Sequence, residues 1–201
     1  MIEATPEARR ESTDLPQTLR RNPLEIPLNI SVERLTLQDI RAYNDLVHRV
    51  LRNSELIPLE DSKKLAKERT ENYYKNQLKN FDVMILVAKE RGKIVGGMEV
   101  QMKFEEDSEP YGYVEWIGVD PNKQGKKIGK KLYDKYDREI KSRGITLTAA
   151  YIADKNKPAQ AFALKMGYDM TNPIRSEERD KEKRKESGAY YTRSTKIPNV
   201  A

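Results

Sequence analysis

An α+β fold in three layers, with helices on both faces of a central sheet, is the class this chain predicts, and three observations carry it. Apolar residues recur with helical spacing in some segments and strand spacing in others, in the order strand, two helices, three strands, helix, strand, helix, two strands. Residues 83–104 read as a β-hairpin turned by Arg91-Gly92. Residues 111–119 are apolar on both faces apart from Glu115, as in a strand from the middle of a sheet.

Composition bounds what such a fold can do. A chain of 201 residues suits one domain with a real core. Its 38 Lys and Arg against 32 Asp and Glu leave +6, spread through nearly every segment, a surface that favours anionic ligands without demanding nucleic acid. The absence of cysteine excludes a disulfide framework, a thiolate zinc site and an acyl-cysteine intermediate. His48, the single histidine, makes a poor metal centre by itself, so no metal is expected. No apolar run has the length of a secretory signal or a membrane span, and the expectation is a soluble, cytoplasmic protein without a membrane partner.

Each element follows in order. Residues 1–28 are polar, carry Pro6, Pro16, Pro23 and Pro27, and read as an extended, flexible arm before a single domain over 29–201. Residues 30–35 alternate as a short strand, and Thr36 with Asp39 resembles a capping box. The helix it opens aligns Leu37, Ile40, Tyr43, Leu46, Val47 and Val50 on one stripe. A second, more polar helix over 61–78 offers Leu65, Tyr73, Tyr74 and Leu78 to pack as a cover.

After the hairpin strands 83–88 and 94–104, an acidic turn around Glu105, Glu106, Asp107 and Glu109 leads into the central strand. There, alternation sets Trp116 opposite Glu115 and into the core. A helix over 125–143 turns Ile128, Leu132, Tyr133, Tyr136 and Ile140 inward and lysines outward. A strand over 145–152 and a short helix over 156–166, stopped by Gly167, follow. Strands over 168–171 and 189–197 end the domain, separated by the charge-balanced run 175–186, a solvated hairpin insertion.

The segment with chemistry joins the central strand to the next helix. Val119-Asp120-Pro121 ends the strand, and Asn122, Lys123, Gln124, Gly125, Lys126, Lys127, Ile128 and Gly129 turn into an amphipathic helix. Backbone N–H groups then converge at a helix N-terminus, which is an anion site on physical grounds. Glycine lets phosphate oxygens approach the backbone, while Lys126, Lys127 and Lys130 add charge at the rim. The same spacing also describes an ordinary strand-to-helix turn with solvated lysines.

This segment resembles the acyl-CoA signature of the GNAT superfamily, in which Q/R-x-x-G-x-G/A follows such a strand. Gln124 and Gly129 fit, and Lys127 stands where the first glycine belongs. The resemblance extends over residues 29–197, and the stretch from Asn156 to Tyr168 is similar to the family's N-x-x-A-x-x-F-Y-x-x-x-G-F helix. It implies a mixed, mostly antiparallel sheet of six to seven strands with a splayed acyl-CoA cleft.

The resemblance further implies roles. Backbone groups of Ile117 and Val119 would pair with the pantetheine arm, with the Val119 N–H facing the thioester oxygen. The N–H groups of Gly125, Lys126, Lys127, Ile128, Gly129 and Lys130 would hold the pyrophosphate, and Asn156 would reach the arm. Glu115, expected on the face of Ile117 and Val119 in apolar surroundings, is the candidate general base. The family's usual tyrosine acid is replaced by Ala163, leaving Tyr151, Tyr190 and Tyr191 as substitutes.

The implied activity is transfer of acetyl from acetyl-CoA to a primary amine of a small molecule or protein, with room for a homodimer. The competing readings are a non-catalytic CoA-binding regulatory module, motivated by Lys127 and Ala163, and a basic nucleic-acid-binding protein using the lysine face of 125–143. The spread of charge argues against the last.

Overall fold

The computed structural model describes residues 29–54, 59–104, 106, 108–170 and 188–194. The predicted arm over 1–28, the charged run 175–186 and residues 195–197 lie outside them. Six strands form one sheet in chain order: β1 (Ile30–Arg34), β2 (Val83–Glu90), β3 (Lys93–Lys103), β4 (Tyr111–Val119), β5 (Leu147–Ala153) and β6 (Gly188–Ser194). All neighbours are antiparallel except β4 and β5. These two run parallel because α4 (Ile128–Ser142) carries the chain back across the sheet between them. This is the mixed, mostly antiparallel sheet expected.

Period-two alternation makes two cores. From β2, Met84, Leu86 and Ala88 pack with Ile128, Leu132, Tyr136 and Ile140 of α4. Ile85 and Val87 turn the other way, onto Ile40, Tyr43, Leu46 and Val47 of α1 (Ile40–Arg52). At the pair Gly96-Gly97 the two helical layers press on the sheet from opposite faces. An added Cβ would fall 2.9 Å from Ile128 Cγ2 at Gly96 and 2.3 Å from Tyr43 Cε2 at Gly97.

Several boundaries differ from expectation. The helix expected over 61–78 is two, α2 (Leu59–Glu68) and α3 (Glu71–Gln77), because the Thr70 hydroxyl accepts from Tyr73 N–H and starts a new helix. Leu37 is 68% exposed. It lies in a 3₁₀ turn before α1, where the helical stripe has not begun. The Thr36 hydroxyl donates to the Asp39 carboxylate (2.7 Å) and caps no backbone group, so the half of the capping box that Thr36 would supply is not formed. At the far end, Tyr168 begins no strand: its neighbour Asp169 makes an isolated bridge to Thr192.

Candidate active site

β4 and β5 pair from Tyr111 with Leu147 to Val114 with Ala150 and no further. Beyond that rung they continue to Val119 and Ala153 without bonding to each other, so the sheet opens into a cleft. The cause is on the other edge of β4. Glu99 of β3 pairs with Trp116 but Val100 pairs with Val114, so Glu115 is an extra residue. Such a bulge bends and twists its strand. A cavity of about 190 Å³ fills the opening, between Glu115 and Ile117 on one side and Tyr151, Ile152, Asn156 and Ala163 on the other.

The bulge corrects two expectations. Gly112 faces α4, since an added Cβ would fall 2.3 Å from the Tyr136 hydroxyl. Val114, Ile117 and Val119 pack on the same core. Trp116 faces the other way, edge-on to Tyr43 at 6.2 Å between ring centres. Alternation is therefore broken between 114 and 116, and Glu115 shares the α1 face with Trp116 instead of opposing it. Glu115 is also exposed, without the apolar surroundings expected for it.

Among the described residues the buried carboxylate is Glu99, 2% exposed. Its Oε1 accepts from the hydroxyls of Tyr43 (3.0 Å) and Tyr74 (3.2 Å), and its Oε2 from Arg69 Nη1 (2.7 Å). Arg69 also lies 5.9 Å from the centre of the Trp116 ring, and its carbonyl is 3.3 Å from His48 Nε2. Burial pushes the Glu99 carboxyl up, against the pull of Arg69 and the two hydroxyls. For Arg69, burial acts to lower the guanidinium, yet Glu99 and the tyrosines keep it above its ordinary value. The network ties α1, the α2–α3 break and β3 together beneath the bulge. Sequence reasoning missed it, although Glu99 is the lone ionisable residue in the apolar run 94–100.

The loop between β4 and α4 has the geometry of an anion cradle. Asp120 accepts from Asn122 N–H (3.0 Å) and from Arg49 Nε (3.1 Å), fixing a 3₁₀ turn over Pro121–Lys123. Gly125 then takes φ +76° and Lys127 φ +60°. These left-handed residues cannot continue a helix, which is why α4 starts at Ile128 and not at Gly125 as expected. The first α-helical bond runs from Lys131 N–H to the Lys127 carbonyl (3.1 Å). The N–H groups of Ile128, Gly129 and Lys130 precede it and have no partner within the helix, and Lys127 caps none of them. Lys127 thus adopts the glycine backbone conformation while adding an ammonium to the rim.

The other residues singled out from sequence divide between rim and cleft. Lys123 pairs with Glu90, and Lys130 with Asp134 at 2.6 Å, while Lys126 and Lys127 are exposed. Gln124 Nε2 donates to the Val119 carbonyl (3.4 Å). Gly129 lets α4 approach α5 (Lys157–Lys165), since an added Cβ would fall 3.3 Å from the Phe162 ring. The Asp120 N–H bonds to Val95 on β3 (2.9 Å), so strand alternation aims the backbone groups of Val119 and Ile117 away from β3, into the opening. Asn156 lines the cavity and caps α5, its Oδ1 accepting from Ala159 N–H (3.1 Å).

Comparison with known proteins agrees with this architecture. Residues 50–168 match the model of the Acetyltransferase (GNAT) family, and the chain belongs to that family. A 64-residue stretch is 31% identical to the mycothiol acetyltransferase of Thermobifida fusca (strain YX), covering 32% of this chain and 20% of that protein. The match thus spans about a fifth of the length of that curated relative.

Among solved structures, the PaiA N-acetyltransferase of Thermoplasma acidophilum in complex with coenzyme A superposes with a TM-score of 0.69. It is 16% identical, over 83% of this chain and 99% of that one. The ribosomal-protein-S18-alanine N-acetyltransferase of Escherichia coli gives 0.58 at 16% identity, over 86% and 99%. Likeness at these identities shows the fold.

Proposed function

We propose that this protein transfers the acetyl group of acetyl-CoA directly to a primary amine. The observation that supports it most is the β4 edge left unpaired by β5 past the Val114–Ala150 rung: it leads from Glu115 and Ile117, which line the cavity, to Val119, where the loop to the α4 anion cradle begins. Phosphates of the donor lie on the N–H groups from Gly125 to Lys130, with Lys126 and Lys127 at the rim. The pantetheine arm adds as a strand to the free edge of β4 at Ile117 and Val119, within reach of Asn156. The Val119 N–H polarises the thioester carbonyl, which strengthens as its oxygen gains charge. Glu115 takes the amine proton, directly or through water. Its exposure on the α1 face brings it to an acceptor that approaches from outside the sheet.

The acceptor belongs to the class of small-molecule or protein amines. The test pairs calorimetry with acetyl-CoA and thiol release over protein N-terminal peptides, lysine peptides, polyamines and aminoglycosides. Binding with turnover on one class is the expected result. Binding without turnover on any of them supports a non-catalytic module, and no binding removes the proposal altogether.

A further inference from the structure

A thioester donor laid along the free edge of β4 runs from the α4 cradle past Val119 and Ile117, so its acyl group arrives at the closed end of the cleft, beside the Val114–Ala150 rung. That end of the cavity has two unlike sides. Glu115 and Trp116 line it toward α1. Met98, Val114, Tyr133, Ala150, Phe162 and Ala163 line it toward α4, and all six belong to the apolar core under the sheet. We propose that this α4 side is an acyl pocket for short, unbranched, apolar chains longer than acetyl, with propionyl and butyryl thioesters of CoA as its donors and Ala163 as the residue that sets its depth. This rests on the acyl-transfer reading above and names the donor class within it.

The direction of attack assigns the two sides. An amine attacks perpendicular to the plane of the thioester, and Glu115 takes its proton on the α1 face. That face has to stay open to the acceptor. Tyr151, which also borders the cavity, lays its ring over Gly188 of β6, where an added Cβ would fall 2.6 Å from Tyr151 Cζ. A longer acyl chain therefore has the α4 side left to it. Among the described residues Glu115 is the charged side chain that lines the cavity, so the α4 side offers an apolar chain no ionised neighbour.

The packing of α5 keeps this side deep. Ala159 and Ala163 lie one turn apart and both line the cavity. Phe162 between them is held against α4: Tyr133 meets it edge-on at 6.4 Å between ring centres, and Gly129 leaves a place for its ring, since an added Cβ would fall 3.3 Å away. The space before Ala163 is thus bounded by a methyl group, and a larger residue there would project into it. Met98 and Tyr133, 1% and 5% exposed, close the floor, which stops a chain after a few carbons. The Tyr133 hydroxyl accepts from Arg193 Nη1 (2.7 Å).

The transfer balances as it does for acetyl. The amine nitrogen bonds to the acyl carbon, the C–S bond breaks with its electron pair on sulfur, and the proton that the amine gives up reaches the thiolate through Glu115 and solvent. The products are the longer amide and free CoA.

The test needs no acceptor. Titration calorimetry of the intact chain compares free CoA with acetyl-, propionyl-, butyryl-, octanoyl- and succinyl-CoA. Affinity should rise about fourfold for each methylene buried beyond acetyl, roughly 15-fold at butyryl. Octanoyl-CoA, too long for the floor, and succinyl-CoA, which brings a carboxylate, should both bind more weakly than butyryl-CoA. In Ala163→Leu the affinity for butyryl-CoA, taken relative to free CoA, should fall about tenfold or more. Butyryl-CoA binding no more tightly than acetyl-CoA overturns the pocket and leaves acetyl transfer standing. A rise that continues to octanoyl-CoA also overturns it, because it reports unspecific apolar contact, and so does succinyl-CoA binding as tightly as butyryl-CoA. An unchanged ratio in a folded Ala163→Leu removes Ala163 from the role; if that variant does not fold, the series on the intact chain decides alone. No binding of free CoA or of any thioester overturns the reading beneath the pocket.

Discussion

Replacing Lys127 with glycine separates the two things this residue does. Its φ of +60° and ψ of 18° cost a side-chain-bearing residue about 1–2 kcal/mol relative to the right-handed region. Glycine escapes that strain but loses about 0.5–1 kcal/mol through its larger unfolded-state entropy. The net expectation for Lys127→Gly is a gain of about 0–1.5 kcal/mol. In a domain of this size that raises Tm by about 0–6 °C. The ammonium is solvent-exposed, so the pairing with a donor phosphate proposed for it would contribute only about 0.2–1 kcal/mol. Acetyl-CoA affinity should therefore fall by roughly 1.4- to 5-fold, more at low salt. Lys127→Met keeps the strain and removes the charge, so it should show the affinity loss without the stability gain. Scanning calorimetry and titration at two salt concentrations read both effects. A lower Tm for Lys127→Gly would refute the strain argument, and unchanged affinity in both variants would refute the phosphate contact.

Other consequences follow from the same geometry. Arg69→Ala strands the buried Glu99 carboxylate and should cost roughly 3–5 kcal/mol in urea unfolding, with Glu99→Gln costing less; a loss under about 1 kcal/mol would mean that water reaches the network. Glu115→Gln should reduce kcat by about 10²–10⁴-fold and leave the KM for acetyl-CoA alone, and an unaltered kcat would remove Glu115 from the mechanism. Acid stability is set partly by Asp39 and Glu139. Although burial opposes it, hydrogen bonds from Thr36 and Lys89 hold Asp39 below its ordinary 3.8, and those from Arg34 and Lys135 hold Glu139 below 4.5. Their stabilisation is complete above those values and is lost as pH falls through the lower folded ones. Tm should thus drop below about pH 4.5, less steeply in Glu139→Gln; equal slopes would contradict this assignment.

Features decided locally were legible in the sequence. The Arg91-Gly92 hairpin, the Gly167 stop and the inward stripe of α4 all depend on residues a few positions apart, and all are present. The turn and helix N-terminus after β4 were legible for the same reason, since strand, turn and helix lie within one short segment. What depended on partners far along the chain was not. The side of the sheet on which Glu115 lies is fixed by the register of β4 against Glu99 and Val100, and one extra residue reverses it. The burial of Glu99 required Arg69, Tyr43 and Tyr74 from other elements. The break between α2 and α3 turned on a Thr70 cap inside a segment whose apolar spacing reads as continuous.

The central claim is that the α4 cradle and the β4–β5 cleft form one acyl-CoA site. Titration calorimetry of the intact chain with acetyl-CoA tests it most directly. The expected result is saturable one-to-one binding, competed by free coenzyme A, weakened by salt and abolished in Gly129→Trp, whose indole meets Phe162 and the mouth of the cradle. Absence of heat at millimolar ligand, or full binding by Gly129→Trp with its fold intact, would contradict the account.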